Sequence, residues 1–301
     1  MPEHPPRSLF DVPAPIAALF RRFPLVTLPP NDLPIRSPPR GDIPILHVFT
    51  TDDDAPRGRP SFNPSCLKWQ TFLKIAGVHF RTCPSTNHAS PSGALPYLQP
   101  SIPSRPISAG SRLETWALSQ NPSSSSSSKQ PPPPPPASRL QAYEALLDTR
   151  IRTAWLHALY LSPANAPLLS RLYIDPASAN TIVRLTLRHQ TTSAAEALVL
   201  RTTRTAVVDP SRIYADARDA FEALATLLDE GGGGGGGGGT GWFLGCGEPT
   251  LFDASVFAYT HLLLDERFGW VDRRLVELVK ELPALVNHQK RLLKMCFPEE
   301  A

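Results

Sequence analysis

Residues 62–100 read FNPSCLKWQTFLKIAGVHFRTCPSTNHASPSGALPYLQP. Asn63 before Pro64 is a capping residue followed by a proline at the first helical position. At about 100° per residue, Cys66, Trp69, Phe72, Leu73 and Ala76 fall on a stripe of about 120°. Leu67 and Ile75 lie off that stripe, so the helix over 64–76 is predicted to pack on two neighbours. Gly77 takes the position where helices end. Val78–Cys83 then predicts a strand, and Ala94–Leu98 another, entered through Leu95-Pro96, where proline makes a cis bond accessible. Upstream, Ile43–Thr50 (IPILHVFT) is a near-continuous apolar run, predicted to form a strand buried on both faces. Between it and the helix, Asp52–Ser61 is a polar, proline-broken loop, predicted to hold the end of the strand away from the helix start. Arg112–Ser119 predicts a short helix.

The rest of the chain sets bounds. Its 301 residues are enough for a substantial core, and 41% hydrophobic with 19% charged residues fits a folded protein. A net charge of +3, with basic residues scattered no more densely than Arg21-Arg22 and Arg273-Arg274, argues against a nucleic-acid partner. Cys66, Cys83, Cys246 and Cys296 form no CxxC pair, and the eight histidines form no ligand spacing, so neither a disulfide framework nor a metal site is expected. No run approaches about 18 apolar residues, and no secretory leader pattern opens the chain. The 35 prolines are far above the usual share of about 5%.

Composition divides the chain into an arm, 1–41, rich in proline yet carrying Leu9, Phe10, Ile16, Leu19, Phe20 and Phe23; an α/β part, 42–120; a Ser/Pro linker, 121–137, with Ser123–Ser128 and Pro131–Pro136; and a helical part, 138–301, interrupted by the glycines 231–239. In the helical part, Ser138-x-x-Gln141 predicts a capping box opening a helix to about Leu161. Asp175-Pro176 and Asp209-Pro210 predict helices over about 176–204 and 210–230. Thr250-x-x-Asp253 is a second capping box, heading a helix whose apolar residues cover most of its circumference, as in the centre of a bundle. Helices over 275–280 and 283–295 close the chain.

A strand–helix–strand unit, a proline-entered strand and an all-helical part together resemble the glutathione-transferase architecture: a thioredoxin-like α/β domain followed by an all-α domain. Phe62-Asn63-Pro64-Ser65-Cys66-Leu67-Lys68-Trp69-Gln70, Ala76-Gly77-Val78, Ser90–Pro96 and Asp253–Tyr259 look closest to the metaxin family. Within it, they look like the smaller peripheral metaxin-like subunit of the fungal mitochondrial sorting and assembly machinery. The resemblance covers roughly 44–120 and 138–297. It implies a non-catalytic subunit, peripheral on the cytosolic face of the mitochondrial outer membrane. It further implies partnership with the β-barrel core subunit, a second metaxin-like subunit and incoming β-barrel precursors, and no cofactor.

Cys66 carries the alternative. A thiol in the first turn of a helix is favoured as thiolate, and cysteine-type transferases place a nucleophile there. A glutathione site would then draw on Leu95, Pro96 and Ser111, but Ala109-Gly110-Ser111-Arg112 lacks the acidic residue expected before the serine. Packing is the preferred reading of Cys66; thiol chemistry and an interface role are the others, as is a plain interaction module for the whole chain. Leu67, His88, Phe20 and Phe23 are the candidate contacts for a partner or precursor, with a groove near Leu67, His88 and Leu95 accepting an extended peptide.

Overall fold

The first strand, β1 (Ile45–Val48), buries Leu46 and Val48 completely, while Ile45 and His47 stay half-buried. It therefore alternates, and the expectation of burial on both faces is corrected. Only one face meets a helix layer, and on the other His47 stacks on Tyr97 with ring centroids 4.3 Å apart. The computed structural model describes residues 43–100, 105–120, 137–231, 241–243 and 246–300. The arm with Phe20 and Phe23 lies outside them, as do residues 121–136 of the linker and the glycine run beyond Gly231. Gly41–Ala301 forms one compact unit.

Helix α1 (Pro64–Ile75) follows β1. Asn63 caps it, its side chain accepting from the Cys66 amide at 3.2 Å, and Pro64 fills the first turn. At its other end, Gly77 at φ 70° lets the Val78 amide reach the Leu73 carbonyl and the Gly77 amide the Lys74 carbonyl, each at 3.0 Å. That pair of bonds satisfies carbonyls the helix leaves open. Next come β2 (Arg81–Pro84), a 3-10 turn (Asn87–Ala89), β3 (Tyr97–Gln99), β4 (Ile107–Ser108) and α2 (Ser111–Gln120). The sheet order is β2-β1-β3-β4, with β1 parallel to β2 and antiparallel to β3, and β4 antiparallel to β3. The Leu95-Pro96 bond is cis.

The two-sided pattern of α1 is realised in the packing. Cys66, Trp69, Phe72 and Leu73 join Leu46, Val48, Leu98, Leu113 and Ala117 beneath the sheet. Leu67, on the other side, enters the core of the helical part. There α3 runs over 137–161, wound as a π-helix at Leu147–Ile151 and His157–Leu161. Thr149 and Thr153 donate to the Ala145 and Thr149 carbonyls at 2.6 and 2.5 Å, a side-chain competition that loosens regular helical bonding. Then follow α4 over 166–174, α5 (Thr181–Thr203), α6 (Pro210–Gly231), α7 (Leu251–Leu264), α8 (Arg274–Lys280) and α9 (Pro283–Cys296). Helix α7 is buried from Phe252 to Leu263 and packs against α1.

Two helix starts differ from expectation. Helix α3 already includes Ala137, so Ser138 and Gln141 sit within its opening turns and not at a cap. Asp175-Pro176 forms a 3-10 turn, and α5 begins six residues after Asp175, at Thr181. Asn180 wins the cap because its side chain accepts from both the Ile182 and Val183 amides, at 2.9 and 3.4 Å. Asp209 does cap α6, accepting from the Ser211 and Arg212 amides at 3.0 and 3.3 Å. Helix α4 has no counterpart among the elements expected from the sequence.

Candidate functional site

The place to look for chemistry is where α1 starts, beside the end of β1. The loop between them does not hold these apart, contrary to the sequence reading. Residues 52–58 fold as turns, and the Ser61 hydroxyl returns to donate to the Phe49 carbonyl at 2.6 Å. Gln70 fixes the same corner, accepting from the Ser61 amide at 2.9 Å and donating to the Arg59 carbonyl at 2.8 Å.

Cys66 is the third residue of α1 and its exposure is 0%. A helix N-terminus favours a thiolate, but here burial wins. The thiol is pushed up to about 12, with hydrogen bonds from the Phe49 backbone and Ser61 opposing the shift without cancelling it. The amide a thiolate would use at this end is occupied by the Asn63 carboxamide. Asn63 in turn donates to the Tyr173 hydroxyl at 3.0 Å.

Tyr173 closes the space between the two parts. Its ring meets Phe49 and Phe62 edge-on, with centroids 5.3 Å away in each case, and Tyr160 lies 6.0 Å away on its other side. Tyr173 as a whole is half-buried, and burial holds its hydroxyl well above its ordinary value. Burial likewise pushes the Tyr160 hydroxyl up to about 12. An aromatic plug from both parts therefore stands over the α1 start.

The other candidate residues do not converge on Cys66. The Leu95 amide, which a peptide ligand laid beside the cis-proline would need, donates to Asn87 Oδ1 at 2.9 Å. Leu95 and Pro96 are buried. Ser111 is exposed at the start of α2 and lines an open groove of about 420 Å³ with Ile107, Arg112, Thr115, Trp116 and Ser119; none of Cys66, Leu95 and Pro96 is on its wall. Leu67, proposed as a partner contact, has 0% exposure because α1 turns it into the helical core; the groove imagined around Leu67, His88 and Leu95 is filled. His88 alone of these three is exposed.

The polar chemistry of the core sits at the start of α7. Thr250 and Asp253 form a capping box. Asp253 Oδ2 accepts from the Thr250 amide and hydroxyl, each at 2.8 Å, and Oδ1 from the Phe243 amide at 3.0 Å and His288 Nε2 at 3.1 Å. One helical turn beyond the middle of α7, His261 Nδ1 meets Gln289 Nε2 at 3.1 Å, and burial lowers its basicity to about 4. The Thr-x-x-Asp spacing signals the cap; nothing in the sequence signals His288, which arrives from α9.

A four-stranded sheet with a cis-proline before β3, covered by α1 and α2 and followed by an all-helical part, defines a two-part protein of glutathione-transferase-like fold. Residues 64–165 match the family model described as glutathione S-transferase N-terminal domain, and residues 217–292 that of the glutathione S-transferase C-terminal domain. Among solved structures, the chain is similar to a glutathione S-transferase of Ceriporiopsis subvermispora in complex with glutathione, with TM-score 0.52 and 15% identity, covering 84% of this chain and 98% of that one. A second transferase of that fungus, also with glutathione, gives TM-score 0.46 and 14% identity over 81% and 97%. One from Methylobacterium radiotolerans, with glutathione sulfonate, gives 0.45 and 17% over 85% and 93%. No curated protein matches the sequence.

Proposed function

We propose that this chain is a non-catalytic subunit of the mitochondrial outer-membrane sorting and assembly machinery. It caps the β-barrel core subunit on the cytosolic side, beside a second metaxin-like subunit, and helps receive β-barrel precursors. The observation that carries the non-catalytic reading is the enclosure of Cys66 under the Phe49–Phe62–Tyr173–Tyr160 plug, with its thiol pushed up to about 12. A nucleophile must be exposed and at least partly ionised near neutral pH; this one is neither. The finer assignment is supported by the metaxin-like stretches Phe62–Gln70, Ala76–Val78, Ser90–Pro96 and Asp253–Tyr259. Among the described residues no helix is long and apolar enough to cross a membrane, so attachment in this reading is peripheral.

In this reading the division into arm 1–41, α/β domain 42–120, linker 121–137 and helical domain 138–301 has a use. The helical domain docks, and the arm with Phe20 and Phe23 adds contact area. Tagged chain purified from mitochondria is expected to bring down a β-barrel membrane subunit; a clean preparation without one overturns the assignment. Retention on glutathione resin, with transferase activity lost in Cys66→Ala, would instead establish the enzyme reading that the transferase-like fold also accommodates.

A further inference from the structure

The 3-10 turn Pro298–Glu300 follows α9 in the helical part, yet the α/β part grips it too. Lys74, near the end of α1, donates to the Cys296 carbonyl at 2.8 Å and lies over the Phe297 ring, 4.0 Å from its centroid. Arg59, from the corner between β1 and α1, pairs with Glu300 at 2.8 Å. Arg267, just after α7, pairs with the other carboxylate oxygen. The Glu300 side chain is only 7% exposed, against 36% and 56% for the two arginines. A carboxylate this enclosed depends on its partners. Its place between one arginine of each part is therefore unlike an ion pair lying free on the surface.

The corner that carries Arg59 is the one beside Cys66. Arg59 also pairs with Asp54 at 3.0 Å, and its carbonyl accepts from Gln70 at 2.8 Å. Pro60 leads directly from it to Ser61, whose hydroxyl donates to the Phe49 carbonyl and also meets the Cys66 thiol. Within the α/β part, Gln70 holds the corner at Arg59, and Thr82 holds it by donating to the Ala55 carbonyl at 2.6 Å. The Glu300 pair fastens the same corner to the helical part. Lys74 bonds to both, reaching the Gly58 carbonyl at 3.4 Å as well as Cys296. The path from Glu300 to the sulfur is thus short: one ion pair, one proline and one hydroxyl.

We propose that the segment Cys296–Glu300 is a latch. It keeps the 54–61 corner closed over Cys66, and its release opens that corner while both parts stay folded. The enclosure that makes Cys66 inert is then conditional, set by the last turn of the helical part. The test is iodoacetamide labelling of the purified full chain near neutral pH, followed on the peptide that carries Cys66. Glu300→Ala is expected to speed labelling at least about tenfold, with an unchanged far-UV spectrum. Arg59→Ala cuts the same pair from the corner and is expected to do the same. The two together are expected to do no more than either alone. Glu281→Ala, which cuts an exposed ion pair to Arg218 elsewhere in the helical part, is expected to label as wild type does. The rate in Glu300→Ala is expected to stay flat at low urea, as local opening does.

A wild-type rate in Glu300→Ala or Arg59→Ala overturns the latch. So do effects that multiply in the double variant, since the two residues then act independently, and an equal gain in Glu281→Ala. A Glu300→Ala rate that climbs with urea along the slope of global unfolding also overturns it, since the segment then only stabilises the whole. Labelling uses no other protein, so its failure alone leaves the co-purification result standing, and failed co-purification leaves the labelling result standing.

Discussion

Helices α1 and α7 pack against each other, and both begin with a side-chain cap, yet the two starts are built from different chemistry. At α1, the cap is the neutral carboxamide of Asn63, the third residue is a buried thiol and the surroundings are aromatic. At α7, the third residue is a buried carboxylate given four hydrogen bonds, one from a histidine of α9. The fold has put its demanding polar group where it organises the helical core and has insulated the position where a thiol enzyme would do chemistry. A thiol tolerates an apolar site as a small hydrophobe, whereas a carboxylate in such a site must be fully hydrogen-bonded.

The largest effect should come from the α7 side. Asp253→Ala strips the partners from the Thr250 and Phe243 amides and from His288, and is expected to cost about 3–5 kcal/mol. Urea denaturation would check this, and a loss under about 1 kcal/mol would mean the α7 start is not what holds the helical core. On the α1 side, Tyr173→Ala should cost about 3–4 kcal/mol by removing the plug. It should also speed iodoacetamide labelling of Cys66 at least about tenfold near neutral pH. In the native protein Cys66 should resist labelling up to pH 9, its ordinary value, since its thiol is held up to about 12. Ready labelling of Cys66 in the unaltered protein would erase the contrast between the two starts.

The pH response should belong to the α7 side as well. His261 is held near 4 when folded, against an ordinary value of 6.5, by burial above all. Between these values the unfolded chain binds a proton that the folded one refuses. Stability is therefore full above pH 6.5 and declines as pH falls toward 4. His261→Gln should flatten that part of a thermal-midpoint profile; an unchanged slope would place its origin elsewhere. The smallest effect is expected at Ser111→Ala, within about 0.5 kcal/mol and without change in any glutathione retention, because Ser111 lines an open groove whose wall does not include the enclosed Cys66.

Local chemistry made much of the frame readable. Asn63-Pro64, Gly77 and the two-sided stripe of α1 act within a few residues of themselves, as does the Thr250–Asp253 spacing, so they can be read along the chain. Where two local options competed, reading failed. Asp175-Pro176 carries a cap-and-proline signal, but Asn180 makes two amide bonds and starts the helix instead. Ser138 failed as a cap because α3 already includes Ala137. Leu67 was legible as a second apolar face, but not as a buried one, because its fate depends on α7, nearly two hundred residues away.

The sequence by itself determined the order of elements, the cap at each end of α1, the buried character of α7 and the presence of a thiol near a helix start. Each follows from backbone preference or from the period of apolar residues. Only the tertiary structure decided what that thiol is. Ser61 returns to Phe49, Asn87 takes the Leu95 amide, and Tyr173 arrives from the helical part to meet Asn63. These contacts join residues from 8 to 110 positions apart. Burial, the quantity that sets the state of Cys66, is a property of everything around the sulfur and of no neighbour in the chain.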